Sequence, residues 1–246
     1  RVSEWQKGNK IAPLYIDMGI TQTCNIKCQY CYYATPENRT SKIITLENLK
    51  RFMKDCAEIG VKGIGFLGDG EPAVHPGCYD SVISGASSGI DMCISTNGTI
   101  MPKEKFVDFL RALTFIRFNI SAASPETYTR IMGTSPKMFN VVKKNIIRCV
   151  EAKRKYNLKT TIGMQMVLVE ECVKDIVPYT KLAKELGVDY VMIKQCSEHG
   201  ILKHGIVPED YNLYENLYQE AEGHIADDFS VFIKRRKMNN TTRKYN

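Results

Sequence analysis

Short apolar runs alternate with stretches of helical periodicity along most of the chain. In residues 46–59, Leu49, Met53 and Cys56 recur at the spacing of one helix face, whereas residues 63–67 form a short, largely apolar run. The pattern predicts six strands, at residues 14–21, 63–67, 91–95, 115–120, 159–169 and 189–194. It predicts helices between them, at residues 46–59, 79–87, 102–113, from 125 onward, 139–156 and 173–186.

Strict alternation of strands and helices predicts an α/β fold with a parallel sheet and helices outside it. Six such units are too few to close the eight-unit TIM barrel. We therefore expect a partial, TIM-like (β/α)6 barrel, with a doubly wound sheet as the alternative. In both architectures the chemistry lies at the carboxyl ends of the strands.

The pattern changes after residue 194 and suggests a division of the chain near residue 200. Residues 1–200 are expected to form the core domain. In residues 201–246 we expect one surface helix at 208–226, a short strand at 229–233 and a basic, Asn-rich tail. This end of the chain is interpreted as the start of a further domain.

Composition and charge exclude two classes of protein. The chain has 246 residues, of which 43% are hydrophobic, yet no apolar run approaches the roughly 18 residues of a membrane span. The net charge of +7 arises from the tail, since residues 234–246 carry six basic residues and no acid. The remainder has 28 basic and 27 acidic residues, so no nucleic-acid partner is indicated.

Nine cysteines fall into two groups. Six lie far apart, mostly in apolar surroundings, and are predicted to be buried thiols: Cys56, Cys78, Cys93, Cys149, Cys172 and Cys196. The other three, Cys24, Cys28 and Cys31, lie within eight residues directly after the first predicted strand. An odd count and the lack of a visible secretion signal argue against a disulfide framework.

Three thiolates in one loop can converge on a metal centre. A structural zinc ion takes four ligands, and no second Cys or His pair is nearby; His75 is the nearest histidine. A [4Fe–4S] cluster held by three thiolates keeps one iron open for a ligand that is not protein. Such a cluster is oxygen-sensitive, so we expect a reducing, cytoplasmic compartment.

The C-x3-C-x2-C spacing, with Tyr30 before Cys31, resembles the signature loop of the radical S-adenosylmethionine (radical SAM) enzymes. The Cys-Tyr-Tyr sequence that follows resembles members with a carboxy-terminal SPASM or twitch domain. The resemblance implies a [4Fe–4S] cluster on Cys24, Cys28 and Cys31, with SAM on the open iron. It implies reductive cleavage of SAM to a 5′-deoxyadenosyl radical, hydrogen abstraction from a peptide or small polar substrate, and an electron donor such as flavodoxin or ferredoxin.

A second motif follows the second predicted strand, where Gly68-Asp69-Gly70-Glu71-Pro72 resembles the family's Gly-Gly-Glu-Pro sequence. The resemblance implies that Gly70, Glu71 and Pro72 hold the SAM amino group. Backbone carbonyls and a carboxylate are suitable partners for an ammonium, and glycine permits close approach. Asp69 stands where the family often has a further glycine.

Polar residues at the ends of the later strands complete the expected cofactor site. The residues that the resemblance places against SAM are Tyr30, Ser95, Asn97, Asn119, Ser121, Arg130 and Gln165. Arg130 is a candidate partner for the methionyl carboxylate, and Asn119 and Ser121 share one face of a strand. An ordinary surface arginine and a core amide remain the alternatives for Arg130 and Gln165.

The sixth predicted strand ends in the polar run 194–199, Lys-Gln-Cys-Ser-Glu-His, which is a candidate for substrate contact. Within it, Cys196 is a candidate catalytic hydrogen-atom donor. The net reaction stays open: oxidation, epimerisation, decarboxylation and bond formation all begin with hydrogen abstraction. The alternatives are a non-catalytic iron–sulfur protein, for electron transfer or structure, and an inactive binding module.

Overall fold

The computed structural model describes residues 1–34, 41–197 and 205–241. They form a seven-stranded, entirely parallel sheet. Its strands are β1 (Tyr15–Met18), β2 (Gly63–Phe66), β3 (Asp91–Thr96), β4 (Leu113–Asn119), β5 (Thr161–Leu168), β6 (Tyr190–Gln195) and β7 (Ser230–Ile233). All six predicted strands are present, and β7 corresponds to the short strand expected at 229–233.

The order of the strands in space follows their order in the chain, from β1 to β7. Each crossover therefore moves one position in the same direction, and right-handed crossovers place the connecting helices on one side of the sheet. A doubly wound sheet reverses direction at a switch point, which this sheet does not do. The α/β fold with a partial barrel is confirmed, and its carboxyl edge collects the loops that follow the strands.

Nine α-helices lie in the described residues: α1 (Val2–Gln6), α2 (Leu46–Glu58), α3 (Cys78–Ser87), α4 (Phe106–Ala112), α5 (Pro125–Met132), α6 (Pro136–Lys155), α7 (Ile176–Leu186), α8 (Glu215–Glu222) and α9 (Arg235–Thr241). The cap residues determine several of the ends. Thr45 accepts a hydrogen bond from the Asn48 amide at the start of α2, and Ser124 does the same for Thr127 at the start of α5.

The hydrophobic core lies between the outer face of the sheet and these helices. Outward-facing strand residues such as Ile64, Ile116 and Ile162 are fully buried against it. The six scattered cysteines are buried as predicted. No helix of the described residues combines the length and apolarity needed to cross a membrane.

Two predicted helices begin at the wrong residue. The helix expected from residue 102 starts at Phe106, because Lys105 adopts a left-handed conformation (φ 52°) that a continuing helix excludes. The helix expected from residue 139 starts at Pro136, since the Ser135 hydroxyl caps it by accepting a hydrogen bond from the Lys137 amide. A Ser-Pro start was used in one prediction and overlooked in the other.

The prediction of one surface helix at 208–226 is wrong. A 3-10 turn over Tyr211–Tyr214 precedes α8, and Tyr211 and Tyr218 are buried. The hydroxyl of Tyr211 accepts a hydrogen bond of 2.9 Å from the Cys196 amide, which draws this segment onto the end of β6. The basic tail also begins with structure, because α9 buries Met238.

Candidate active site

A cavity of about 210 Å³ opens at the carboxyl edge of the sheet, and the three clustered cysteines line it. They lie in the loop that follows β1, and each is partly buried. Of the other predicted site residues, those lining the same cavity are Tyr30, Gly70, Glu71, Ser95, Asn97, Asn119 and Gln165. The structure therefore brings together residues from loops after β1, β2 and β3 with residues at the ends of β4 and β5.

The cysteine loop is attached to the end of α5 by backbone hydrogen bonds. The amide of Lys27 donates to the Met132 carbonyl at 3.3 Å, and the amide of Gln29 donates to the Ile131 carbonyl at 2.9 Å. Gly133 ends α5 with φ 59°, and a Cβ there would lie 2.1 Å from the Lys27 carbonyl oxygen. A glycine is required at this position both for its conformation and for the approach of the loop.

The histidine nearest to the thiols in the sequence does not complete a four-ligand zinc site with them. A zinc ion would draw its thiolates to one point about 2.3 Å from each sulfur, whereas a cubane gives each thiolate its own iron. The ring nitrogens of His75 are occupied, by the Ile44 carbonyl at 2.7 Å and the Gly77 amide at 2.9 Å.

The three thiols are close enough to influence each other. Burial, followed by the neighbouring Cys31 and Cys24, raises the pKa of the Cys28 thiol well above its ordinary value. Burial and the two neighbouring sulfurs thus disfavour the thiolate form of Cys28 unless a positive centre binds. Metal binding deprotonates such ligands outright, so this donor set fits an iron–sulfur cluster.

Tyr30 secures the loop from the side of the barrel. Its hydroxyl lies 3.1 Å from the Ser121 hydroxyl, which donates to it, and Ser121 in turn accepts from the Val167 amide at 3.0 Å. Ser121 is fully buried and does not line the cavity. The visible role of Ser121 is therefore to position Tyr30, the residue next to Cys31.

The Glu71 carboxylate joins the second motif to the end of β3. It accepts hydrogen bonds from the Ala73 amide at 3.1 Å, the Thr96 hydroxyl at 2.6 Å and the Asn97 amide at 2.6 Å. Burial raises the pKa of Glu71, and these three donors oppose the rise. Pro72 begins the short 3-10 turn that Glu71 caps, and it does not line the cavity.

The two residues before Glu71 bring the motif against the cysteine loop. A Cβ on Gly70 would lie 2.4 Å from the Thr23 carbonyl oxygen, so only glycine allows this approach. The Glu71 amide donates to that same oxygen at 3.0 Å. Asp69, which stands where the family often has glycine, has the left-handed φ of 58° that glycine adopts most readily.

Asn97 links the end of β3 to the cysteine loop. Its side-chain NH2 group donates to the side-chain oxygen Oδ1 of Asn25 at 2.8 Å and approaches the Cys24 sulfur at 3.9 Å. Its own carbonyl oxygen accepts from the Thr99 amide and hydroxyl. Asn97 thus holds the first cysteine of the trio in place.

A row of polar side chains crosses the next three strands. The Ser95 hydroxyl accepts a hydrogen bond from the side-chain NH2 group of Asn119 at 2.9 Å. The side-chain oxygen of Asn119 accepts one from the side-chain NH2 group of Gln165 at 2.8 Å. Asn119 and Gln165 are direct partners in the β4–β5 register. All three line the cavity, which gives it a polar surface between the cysteines and β6.

Arg130 and Cys196 lie away from the cavity. Arg130 is half-exposed on α5 and forms an ion pair with Glu171, whose other oxygen accepts from Gln29 of the cysteine loop at 3.2 Å. Cys196 is buried just beyond β6. Their proposed contacts with SAM and substrate stay predictions. Glu198 and His199, the end of the polar run, lie outside the described residues.

The sequence reasoning missed several residues that build the site. Thr96 and Asn25 hold Glu71 and Asn97, and Gly133 admits the cysteine loop. Lys194, the first residue of the polar run predicted to contact substrate, lines the cavity. A glycine directly after the apolar periodicity of α5 was a usable signal for Gly133. Nothing in the local sequence indicated the partners of Thr96 or Asn25, because those contacts join distant loops.

Comparison with known proteins identifies the family. The sequence profile described as the Radical SAM superfamily matches residues 18–182, a region from β1 into α7 that includes every predicted site residue except Cys196. The chain belongs to the radical SAM superfamily, whose members are enzymes that use a [4Fe–4S] cluster and SAM. These enzymes need a reductant and a substrate. The predictions of family, enzyme class and cofactors are confirmed.

Named relatives span different activities. An AdoMet-dependent heme synthase of Methanosarcina barkeri is 30% identical over 86% of this chain and 59% of its own length. A GTP 3′,8-cyclase of Chlorobaculum tepidum is 26% identical over 89% of this chain and 67% of its own length. A second GTP 3′,8-cyclase, of Helicobacter pylori, is 30% identical over 68% of this chain and 52% of its own length.

Solved structures share the fold. Streptococcus suis SuiB bound to S-adenosylmethionine superposes with a TM-score of 0.74 at 17% identity, over 95% of this chain and 53% of SuiB. The protein anSMEcpe with bound AdoMet and Kp18Cys peptide superposes with a TM-score of 0.66 at 20% identity, over 91% of this chain and 64% of anSMEcpe. The chain thus spans between about half and two thirds of the length of these relatives.

Proposed function

We propose that this chain carries the radical-generating core of an enzyme that cleaves SAM reductively and abstracts a hydrogen atom from a peptide or small polar substrate. The observation that carries the proposal is the shared cavity, in which Cys24, Cys28 and Cys31 meet the second motif and the polar row of β3–β5. When bound, the reduced cluster and SAM supply the carbon radical that begins such reactions. The tasks of the chain itself are to bind, to orient and to exclude water.

The residues divide these tasks among themselves. The three thiols are the cluster ligands, and Asn97, Tyr30 and the end of α5 hold their loop. The Glu71 carboxylate accepts three hydrogen bonds and so fixes the turn whose backbone carbonyls suit the SAM amino group. Ser95, Asn119 and Gln165 offer hydrogen-bonding groups to the ribose and the carboxylate of SAM.

The named relatives do not decide between a peptide and a small polar molecule as the substrate. Those relatives include enzymes named for heme synthesis and for GTP cyclisation, and SuiB has been solved bound to precursor peptide SuiA. We propose a flavodoxin or ferredoxin as the electron donor and the cytoplasm as the compartment, because an open-iron cluster requires a low-potential, reducing environment.

We also propose the domain division near residue 200, with residues 201–246 leading into an auxiliary-cluster domain. β7 pairs with β6 as the last strand of the sheet and α9 packs against β6, so the segment proposed to lead into that domain starts from the core. A longer natural chain would then bind more iron than the roughly four atoms expected for residues 1–246. Iron analysis of both lengths distinguishes one cluster from several.

The test is anaerobic reconstitution followed by reduction in the presence of SAM. The reconstituted protein is expected to bind about four irons and to release 5′-deoxyadenosine and methionine. Cys28→Ala should lose both properties, whereas Cys56→Ala, a buried cysteine of α2, should keep them. An iron-loaded protein that transfers electrons but releases no 5′-deoxyadenosine would instead establish the non-catalytic alternative.

A further inference from the structure

Lys194 places a cation on the wall of the cavity that the cysteines line. It lies next to the end of β6, and it is the one lysine or arginine among the described residues that line this cavity. Within the described ranges 1–34, 41–197 and 205–241, no carboxylate forms an ion pair with its amine. The cavity therefore has a positive group that no carboxylate of the described residues neutralises.

The surroundings of Lys194 make its positive charge energetically unfavourable. Burial lowers the pKa of Lys194, the nearby positive charges of Arg117 and Lys237 lower it further, and the neighbouring Cys196 opposes the fall. A partly buried charge with other cations around it is destabilising unless a counter-charge is supplied. The described acids of the cavity have other partners, since Glu71 accepts three hydrogen bonds and Asp69 accepts one from Tyr33.

Arg117 adds a second cation one layer deeper in the barrel. It precedes Asn119 by two residues on β4, so both point to the inner face of the sheet. Its Nε donates to the Ser95 hydroxyl at 3.4 Å, and its guanidinium lies 5.8 Å from the centre of the Phe115 ring. Among the described residues it has no ion pair, and Asp17, an acid of β1, interacts with Tyr15.

The position of these cations relative to the cysteines is informative. The cysteine loop follows β1, whereas Lys194 lies on β6, five strands away in the sheet order. Both line one cavity because the sheet curves. An anion on Lys194 would therefore occupy the wall opposite the cluster ligands, where a substrate can lie across the cofactor.

We propose that Lys194, supported by Arg117, binds an oxyanion of the substrate, either a carboxylate or a phosphate. This inference rests on the proposed function and specifies its substrate class: a molecule with a negative group held on the β6 side, its reacting carbon turned towards the cofactor. Lys194 is a binding residue here, and Arg117 acts through the field it adds behind Ser95 and Asn119.

The experiment measures anion binding to the reconstituted holoenzyme by calorimetry. Inorganic phosphate and acetate are the two probes, each compared with chloride at the same ionic strength and each repeated with saturating SAM. The wild type should bind at least one probe with SAM present, and Lys194→Met should weaken that binding about ten-fold or more. Lys194→Arg, which keeps the charge, should retain it within about three-fold.

A matched control separates this site from general surface charge. Lys54 is 77% exposed on α2, paired with Glu58, and Lys54→Met should leave probe affinity within about two-fold of the wild type. Preference for phosphate or for acetate then assigns the substrate group. Equal binding by the wild type and Lys194→Met, or binding of neither probe, overturns the inference.

Two further outcomes separate the possibilities for the same cavity. If SAM displaces the probe, Lys194 serves the carboxylate of SAM and the inference on the substrate is wrong. Release of 5′-deoxyadenosine by the wild type tests the proposed function independently of any probe. If the protein cleaves SAM but binds no anion, the proposed function stands and the inference about the substrate is wrong. If the protein binds the anion but cleaves no SAM, the proposed function is wrong and the anion site at Lys194 stands.

Discussion

The two walls of the cavity are built differently. On the cysteine side, which comprises residues 19–31, 68–74 and 95–99, backbone groups add to the side-chain connections: the amides of Lys27, Gln29 and Glu71 all donate to carbonyls of other segments. On the lysine side, formed by Asn119, Gln165 and Lys194, side chains make them. Backbone contacts fix a loop whatever the side chains do, whereas side-chain contacts change with each substitution. A substitution on the lysine side is therefore expected to disturb the cysteine loop less than one in its backbone contacts.

The largest effect should come from the contact between α5 and the cysteine loop. Gly133→Ala places a Cβ 2.1 Å from the Lys27 carbonyl oxygen and also strains a left-handed backbone position. We expect the free energy of unfolding to fall by about 3 kcal/mol or more and iron retention to fall about ten-fold, because the cysteine loop must move. Denaturant unfolding and iron analysis measure the two effects.

Gly89→Ala is the matched control for that substitution. Gly89 also has a positive φ, 80°, but nothing lies within 4 Å of its Cβ position. The Gly89→Ala variant should lose only about 1 kcal/mol of its free energy of unfolding, through backbone strain, and should keep its iron. Equal iron loss in both variants would mean that the α5 contact does not hold the cysteine loop.

A second substitution tests the carboxylate that joins two motifs. Glu71→Gln keeps the shape but turns an NH2 group towards donors from Thr96 or Asn97. We expect a loss of about 1–3 kcal/mol, which for a chain of this size lowers the Tm by roughly 2–10 °C. Thermal unfolding checks this, with the exposed Glu104→Gln expected to change the Tm by about 1 °C or less. A Tm equal to that of the wild type in Glu71→Gln would show that its three hydrogen bonds add nothing.

A smaller effect should follow removal of the Tyr30 hydroxyl. Tyr30→Phe loses the 3.1 Å hydrogen bond with Ser121 and should cost about 0.5–1.5 kcal/mol. Tyr128→Phe is the control, because the buried Tyr128 hydroxyl has no hydrogen-bond partner among the described residues. That variant should equal or exceed the wild type in stability by denaturant unfolding. The reverse ranking would contradict the role assigned to Tyr30.

The smallest effect is expected on the lysine side. Gln165→Leu removes the donor to Asn119 and should cost about 1 kcal/mol or less, because no backbone group of the cysteine loop depends on it. Iron content measured after reconstitution should therefore match the wild type. Iron loss as large as that of Gly133→Ala would remove the distinction between the two walls.

Local sequence was sufficient where a motif or a cap carries its own physical reason. The cysteine spacing, the Gly68–Pro72 turn and the Ser124-Pro125 helix start were all located correctly, and ten predicted site residues line one cavity. The strand predictions succeeded because apolar runs of four to eight residues lie between clear helical stretches.

The errors have a common physical origin in contacts between distant segments. Residues 208–226 read as a surface helix, yet Tyr211 packs onto β6 through the Cys196 amide. Arg130, predicted to contact SAM, pairs in the structure with Glu171, which lies 41 residues further along the chain, and its contact with SAM stays a prediction. Lys194 was only one member of a polar run until the fold placed it in the cavity without a counter-charge.

The sequential strand order also determines which strands lie at the two edges of the sheet. β1 and β7 form the two borders of the sheet, and each is only four residues long, whereas β5 has eight. Border strands offer unpaired amides and carbonyls to other chains, and short ones limit the length of any such pairing. The two open edges of the sheet therefore offer little length for pairing with another chain.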